Sequence, residues 1–599
     1  MGSSYRSLRS RRISEVPVPR RLRQPTRLTR VEPTRFRLVV VWTVLMAGTG
    51  LLALNLFYVQ VRQHGVLKKI AQSQQSIVLQ PFVPRRQILD RNGTILALDQ
   101  PVFTLYAHPK LFKESKQAVA EKLAPVLKRP VEALVKTFNE QESGLQLAFS
   151  LSENTADHIE DLQIDGLELI PHQERLYPHQ YLAADVVGYV NTDNQGQAGI
   201  EMSQQKVLER SSQSIRLNRM GDGSLMPDQV PPGFLNLDDL QLRLTIDLRL
   251  QQVAQAALKE QVKAYAAKRG TVLVMDARDG SLLTLVSEPT YDPNQYSKYP
   301  LERFKTWALS DLYEPGSTFK PINVAIALET GAIKPTDVFY DEGRIQIGEW
   351  PIQNNDYNSA GGRGSVTVTD IIKYSSNVGM VHIIETMKPS VYYTWLKRLG
   401  LGERVGVDLP SEAAGQFKDR KIFTESRIEP ATTAFGQGFS LTPIQLLQLH
   451  GSLANGGKLV TPHVVKGLFD SKGQLYWQPR LPTPRQVFSA KTTQTVLPMM
   501  EAVVQGGTAK VAQIPGYRIA GKTGTAQKAS EFGGYSNARI TSFVAILPVQ
   551  DPRYVVLAVV DEPKGDDAFG STVAAPIVKK VAEALIALEK IPPLPTQPN

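Results

Sequence analysis

The hydrophobic and polar positions of this chain fall into three regimes. Residues 1–37 are rich in Arg, Ser and Pro and show no apolar periodicity; such a segment buries too little surface to order itself. Residues 38–61 then run for 24 positions without a charge, including Val39-Val40-Val41-Trp42 and Leu51-Leu52-Ala53-Leu54. As a helix this stretch is about 36 Å long, enough to cross a hydrocarbon core of about 30 Å. Neither the shorter apolar region nor the small-residue cleavage site of a signal peptide is evident, so the pattern predicts an uncleaved transmembrane anchor at 38–61.

Beyond Arg62 short strand-like and helical runs alternate. Residues 84–97 predict strand, Asn92-Gly93 turn and strand, with helical patterns near 117–127 and 131–138. The stretch 221–239 is rich in Pro, Gly and Asp and contains Pro231-Pro232-Gly233. It marks the boundary between a first outer domain, 62–235, and a second, 236–590, with a Pro-rich tail at 591–599. In the second domain Asp247 opens an amphipathic helix to about residue 265, and apolar strands follow at 271–275 and 281–287. Three more strands are predicted at 517–527, 540–547 and 554–560. A closing helix at 571–590 repeats Val573, Ile577, Val581, Leu585 and Leu588 at three and four spacing. Five strands from the two ends of one domain, around a helix-rich middle, predict an α+β fold: one mainly antiparallel five-stranded sheet with helices on both faces.

Composition sharpens this picture. With 599 residues, 42% hydrophobic and 21% charged, the chain has the balance of packed structure and the length of three to four domain-sized units. A net charge of +11 suggests nucleic acid until it is located. Residues 1–37 hold eleven Arg and two Glu, leaving +2 for everything after them. That excludes a basic nucleic-acid groove in the main body, and it places the Arg-rich tail on the cytoplasmic side of the membrane with the bulk of the chain outside. The chain has no Cys, which removes disulfides, thiol nucleophiles and Cys-containing metal sites together. The eight His are scattered, with no His-Glu-x-x-His pair. Neither a catalytic metal nor a cofactor is expected.

The candidate chemistry lies in the second domain. Glu314-Pro315-Gly316-Ser317-Thr318-Phe319-Lys320-Pro321 puts a Ser three residues ahead of a Lys at the start of an apolar run, so hydroxyl and amine share a helix face one turn apart. Pro321 sets the helix start near Gly316. Unpaired N–H groups and the positive dipole end there favour an alkoxide and disfavour an ammonium, biasing Ser317 and Lys320 toward their reactive forms. Alone, the pair also fits a surface Lys above a Ser cap. Tyr374-Ser375-Ser376-Asn377-Val378 falls in a break between helical runs at 369–374 and 378–387, where capping is the ordinary role of Ser and Asn. Gly521-Lys522-Thr523-Gly524-Thr525 ends a strand pattern; its glycines let backbone approach a ligand, and Lys and Thr suit a carboxylate or a peptide amide. The first outer domain offers no such constellation. Its Arg85, Arg86, Arg91, Glu174 and Glu201 belong to solvated faces or structural ion pairs, consistent with a spacer or docking domain.

Together, in this order and in one domain, the three motifs are far more specific than any one of them. With Ile88-Leu89-Asp90-Arg91-Asn92-Gly93, Ala198-Gly199-Ile200-Glu201 and Thr245-Ile246-Asp247, they make the chain after residue 37 resemble the class B penicillin-binding proteins, and most closely their division-specific septal peptidoglycan transpeptidases. Ser376 stands where the β-lactamase form of the middle motif has Asp, which favours a transpeptidase. The resemblance implies a penicillin-binding serine transpeptidase fold, an elongated non-catalytic pedestal or dimerisation domain before it, and one transmembrane helix in the plasma membrane. It implies an enzyme that cross-links peptidoglycan stem peptides on lipid II-derived strands, is acylated by β-lactams, and works with a membrane glycosyltransferase of the shape, elongation, division and sporulation (SEDS) family and other division proteins. Ser317 would be the nucleophile, Lys320 the base and Ser375 a proton relay. Asn377 would bind the donor peptide, and Lys522, Thr523, Gly524 and Thr525 would hold its terminal carboxylate. Backbone N–H groups of Ser317 and Thr525 would form the oxyanion hole. An elongation-specific transpeptidase, a carboxypeptidase or β-lactamase, and a division scaffold or β-lactam sensor without turnover remain alternatives.

Overall fold

The computed structural model describes residues 35–79, 83–210, 215–218, 237–529 and 534–595. The predicted tail at 1–37 lies outside the described residues up to position 34, as do the boundary stretch 221–239 up to position 236 and the last four residues of the tail at 591–599. The chain forms two compact units: residues 1–80 with 214–234, and residues 81–213 with 235–599.

In the first unit the α-helix Arg35–Phe57 continues as a π turn, Tyr58–Arg62. The 28-residue segment Arg35–Arg62, with a mean hydropathy of 1.9 in its most apolar window, is long and apolar enough to cross a membrane. Its Thr43 and Thr49 hydroxyls donate back to Val39 O (2.8 Å) and Leu45 O (2.5 Å), satisfying within the helix the groups that lipid would leave unpaired. A second helix, His64–Gln75, leads into Ser76–Leu79, which pairs antiparallel with Ile215–Asn218.

Two sheets organise the second unit. The predicted hairpin forms as β1 (Ile88–Leu89) and β2 (Ile95–Ala107). Asp90 closes its turn by accepting from Asn92 N and Thr94 N, both at 2.8 Å. The second arm is far longer than the pattern suggested, because it also pairs antiparallel with β3 (Leu145–Leu151) and β4 (Leu167–Leu176). The predicted helices form at Lys116–Leu127 and Val131–Glu140. β5 (Gln241–Leu244) comes from the other side of the sequence boundary and lies parallel to β1. It is followed by α1 (Leu248–Ala264), with Asp247 as its N-cap, and by β6 (Arg269–Asp276) and β7 (Leu282–Glu288).

The helix-rich middle contributes α2 (Lys320–Glu329), α3 (Val368–Tyr374), α4 (Asn377–Glu385) and α5 (Pro443–Ala454). After it come β8 (Val465–Phe469), β9 (Leu475–Trp477), α6 (Ala490–Gly506), β10 (Ala520–Ala529), β11 (Tyr535–Leu547), β12 (Tyr554–Asp561) and α7 (Ala575–Leu588). The first sheet is mixed, in order β9-β8-β5-β1-β2-β3 with β4 also on β2. Strands of two to five residues at β1, β5, β8 and β9 are too short for alternation to show, so only the fold reveals that both halves of the chain share this sheet.

The second sheet is the predicted five-stranded one, wholly antiparallel in order β10-β11-β12-β6-β7. Its central strand β12 is buried at all eight positions, as a strand covered on both faces must be. The buried Ile577, Val581 and Leu585 of α7 belong to the same continuous core as Val555, Leu557 and Val559 of β12.

Of the charged residues singled out in the first outer domain, Arg85, Arg86, Arg91 and Glu201 form structural ion pairs, while Glu174 accepts from Ser150 Oγ at 2.6 Å. Glu201, wholly buried, accepts from Arg85 Nη2 (2.8 Å) and Arg175 Nε (2.7 Å), and Arg175 also reaches Asp99 (2.9 Å). Arg86 pairs with Asp238 at 2.7 Å, and Arg91 pairs with Glu589 just beyond α7 at 2.7 Å.

Candidate active site

The Ser317 segment forms a 3-10 turn, Gly316–Phe319, that runs directly into α2. The 3-10 turn thus begins at Gly316, near the expected helix start, but Gly316 itself lies in the left-handed region at φ 55° and the α-helix starts only at Lys320, with Pro321 in its first turn, where the missing N–H is harmless. Close backbone approaches hold this turn on both sides. Gly316 N donates to Gly436 O at 2.9 Å, and a Cβ on Gly436 would lie 2.0 Å from Gly316 O. On the other side a Cβ on Gly524 would meet Ser542 Oγ at 2.5 Å, Thr318 Cγ2 at 3.0 Å and Pro315 O at 3.2 Å. Glycine at 524 therefore lets β10 lie against the serine turn. Thr318 Oγ1 donates to Pro315 O (2.7 Å), and buried His450 on α5 donates from Nε2 to Thr318 O (2.9 Å).

The Ser-x-Asn break divides its labour. α3 begins in a Thr367/Asp370 capping box and ends at Ser375, which sits in the left-handed region at φ 60°, ψ 37°. This conformation is costly for a residue with a Cβ and is held by its surroundings. Capping, the ordinary expectation for the motif, is performed by its middle residue: Ser376 Oγ accepts from Gly379 N at 2.8 Å and starts α4. Ser375 and Asn377 are thereby left to face the lysines.

Lys320, with no exposed surface, donates from Nζ to Ser375 O (2.6 Å), Asn377 Oδ1 (2.7 Å) and Ser375 Oγ (3.3 Å). Lys522, equally buried on β10, donates from Nζ to Ser375 Oγ (2.9 Å) and Thr523 O (3.0 Å). The Ser375 hydroxyl thus stands between two amines. Burial, then the nearby Lys522 charge, holds the Lys320 amine well below the usual lysine range, against a smaller opposing pull from Asp341 and Asp356. Burial pushes Lys522 down to about 7. The bias toward a neutral amine expected from a helix terminus therefore has a different origin, desolvation and a second lysine, and the acceptors of Lys320 lie on the Ser-x-Asn turn and not on Ser317.

An open cleft of about 310 Å³ exposes part of this constellation, with Ser317, Asn377 and Thr525 on its walls. Lys320, Ser375 and Lys522 form the hydrogen-bonded layer behind them. Thr525 Oγ1 accepts from Gly570 N at 3.0 Å, and Thr523, two residues back on the same strand, is bonded through its hydroxyl to Thr508 (2.8 Å). The cleft also draws on Asn355, Gln437, Arg539 and Phe569, none of which a local pattern singles out. Arg539 enters because β11 pairs it with Gln527 on β10, and its guanidinium lies 5.4 Å from the centre of the Phe569 ring. A dry pair of amines, a hydroxyl nucleophile on a rigid turn and a cation at the mouth can activate a serine toward an acyl group that carries a carboxylate.

Similarity to known proteins agrees with this geometry. The family model described as the penicillin binding protein transpeptidase domain matches residues 270–583, and the penicillin-binding protein dimerisation domain matches residues 82–223. A peptidoglycan D,D-transpeptidase FtsI homolog of Mesostigma viride is 44% identical over 580 residues, covering 94% of this chain and 97% of that protein. The peptidoglycan D,D-transpeptidase FtsI of Escherichia coli strain K12 is 29% identical, covering 92% of each. Among solved structures, penicillin binding protein 3 of Mycobacterium tuberculosis in complex with aztreonam superposes with a TM-score of 0.65 at 27% identity, over 87% of this chain and 98% of that one. With a dimerisation domain ahead of a transpeptidase domain and the serine, Ser-x-Asn and Lys-Thr-Gly groups at one cleft, the chain belongs to the penicillin-binding protein transpeptidase family, in its class B, FtsI-type branch.

Proposed function

We propose that the cleft cross-links peptidoglycan stem peptides during cell division. Ser317 Oγ adds to the carbonyl of the penultimate D-Ala as its proton passes to Lys320. The tetrahedral intermediate collapses with cleavage of the D-Ala–D-Ala amide, and the leaving amine takes a proton by way of Ser375. Free D-Ala departs and the peptide remains as an ester on Ser317 until an acceptor amine attacks it, loses a proton and restores the serine. Asn377 binds the donor peptide. Lys522, Thr523 and Thr525 form the edge of β10 that holds the terminal carboxylate, and Gly524 keeps that edge against the serine turn. Backbone N–H groups of Ser317 and Thr525 hold the oxyanion, each such donor being worth about 3 kcal/mol of barrier.

The observation that carries this reading is the convergence of the buried amines of Lys320 and Lys522 on the Ser375 hydroxyl, with Lys320 also bonded to Asn377, which lines the same cleft as Ser317. A β-lactam presents a strained amide and a carboxylate to the same groups. A fluorescent penicillin is therefore expected to label the protein covalently, and Ser317→Ala to abolish labelling while the thermal unfolding profile stays unchanged. A label that survives the substitution, or one recovered on a peptide without Ser317, overturns the assignment.

In this reading the Arg35–Arg62 helix anchors the enzyme in the inner membrane, with the N-terminus cytoplasmic and the catalytic unit outside. The fresh glycan strands come from a SEDS-type polymerase among the division proteins of the same membrane.

A further inference from the structure

Between α2 and α3 the chain forms two small ribbons, Val338–Asp341 with Gly364–Thr367 and Arg344–Ile347 with Trp350–Gln353. Asp341 ends the first strand with no exposed surface. Its carboxylate accepts from Asn354 Nδ2 at 2.8 and 2.9 Å and from Gly343 N at 2.8 Å, and among the described residues no Lys or Arg forms an ion pair with it. Asn354, 1% exposed, faces the other way with its Oδ1. That oxygen accepts from Asn377 N (2.8 Å), Val378 N (3.2 Å) and Ser376 Oγ (3.2 Å), so one amide collects the first free donors of α4. Gln353 O accepts from Asn377 Nδ2 at 2.9 Å, and Asn377 Oδ1 accepts from Lys320 Nζ. A continuous hydrogen-bonded chain therefore runs Lys320–Asn377–Asn354–Asp341.

The Gly343 and Asn354 N–H donors lower the cost of burying this carboxylate, but being neutral they leave its negative charge in place, where it acts on nearby charged groups. The charged groups that bear on Lys320 are Lys522 from β10, and Asp341 and Asp356 from the ribbon region. Asp356 is already paired with Arg363. Asp341 is the negative charge left to act on Lys320.

We propose that Asp341 and Asn354 are positioning residues for acyl transfer, Asn354 fixing the Ser375–Asn377 turn and the Asp341 carboxylate balancing the positive charge that Lys320 gains when it takes the Ser317 proton. This rests on the reading of Lys320 as the base. Removal of the charge makes Lys320 easier to deprotonate and a weaker base.

The test is the rate of acylation by fluorescent penicillin as a function of pH, on detergent-solubilised full-length protein, with thermal unfolding alongside. Asp341→Asn is expected to move the rising limb of the profile about one pH unit toward acid and to lower the plateau about tenfold. The exchanged pair Asp341→Asn/Asn354→Asp restores one negative charge and every acceptor, since an aspartate at 354 can still accept from Ser376, Asn377 and Val378, and is expected to return both limb and plateau toward wild type. A purely structural role would change the plateau and leave the limb in place. An unmoved limb in Asp341→Asn, or an exchanged pair that melts like wild type without recovering, overturns the proposal; if Asp341→Asn does not fold, the exchanged pair decides alone. Failure of the base reading looks different: Lys320→Arg would then acylate at the wild-type rate.

Discussion

At the scale of single residues, the site works through burial more than through sequence neighbourhood. Lys320 and Lys522 have no exposed surface, and desolvation is the first cause of the depressed proton affinity of each. His450 obeys the same rule. It is wholly buried, its Nε2 donates to Thr318 O, and its Nδ1 has no partner, so a charged ring would be unsupported and its pKa falls to about 4. Since the folded value lies below the unfolded value of about 6.5, the unfolded chain binds more protons between the two. This contribution to stability is complete above about pH 6.5 and is lost as the pH falls toward 4, by roughly 3 kcal/mol in all. Replacement by His450→Gln, which keeps an N–H for Thr318 O but cannot titrate, is expected to flatten the acid side of a plot of unfolding free energy against pH by about that amount. An acid slope equal to wild type would assign it to other groups.

At the scale of elements, the site is an intersection: the 3-10 turn before α2, the α3–α4 break, and β10 each supply one motif. What sets their spacing is glycine. Gly524 is the point where β10 meets the serine turn, and Ser542 beside it is itself buried. Gly524→Ala leaves no room for its Cβ without displacing Ser542 or moving the strand from Thr318. Overpacking of this kind costs about 1–3 kcal/mol. The variant is expected to melt earlier and, because Ser317 shifts relative to Lys522, to acylate at least about tenfold more slowly. Normal acylation in a protein of lowered melting temperature would show that the strand moves without carrying the serine turn along.

At the scale of the whole molecule, the catalytic sheet and the seven-stranded mixed sheet belong to one compact unit, while the apolar helix Arg35–Arg62 belongs to another. Chemistry that is complete within one unit should not depend on the identity of that helix. Gly48 and Gly50 in this helix have nothing within 4 Å of their Cβ positions, and small residues of this kind let helices pack closely in lipid. If the proposed polymerase docks on this helix, exchange of residues 38–61 for an unrelated apolar helix of equal length is expected to leave penicillin labelling intact and to weaken co-purification with that polymerase. Undiminished co-purification would place docking in the catalytic unit.

The sequence by itself determined what local pattern can encode. The uncharged run after Arg37, the Asp247-capped helix, all five strands of the catalytic sheet and its closing helix were legible because each is long enough to show its period. The three motifs were legible because each keeps its chemistry within a few residues. Tertiary structure alone decided the rest. Two-residue β1 and four-residue β5 acquire their pairing from partners some 150 positions apart, and no local propensity records such a partner. That Ser376 caps while Ser375 faces two amines depends on a left-handed turn held by its surroundings. Asn354, Asp341, His450 and Arg539 look like ordinary polar residues in their own segments; burial, register and the elements folded against them put Arg539 on the wall of the cleft and the other three in the packing around the site. Proton affinity is likewise a property of the fold, because desolvation depends on everything packed around a group and not on what precedes it in the chain.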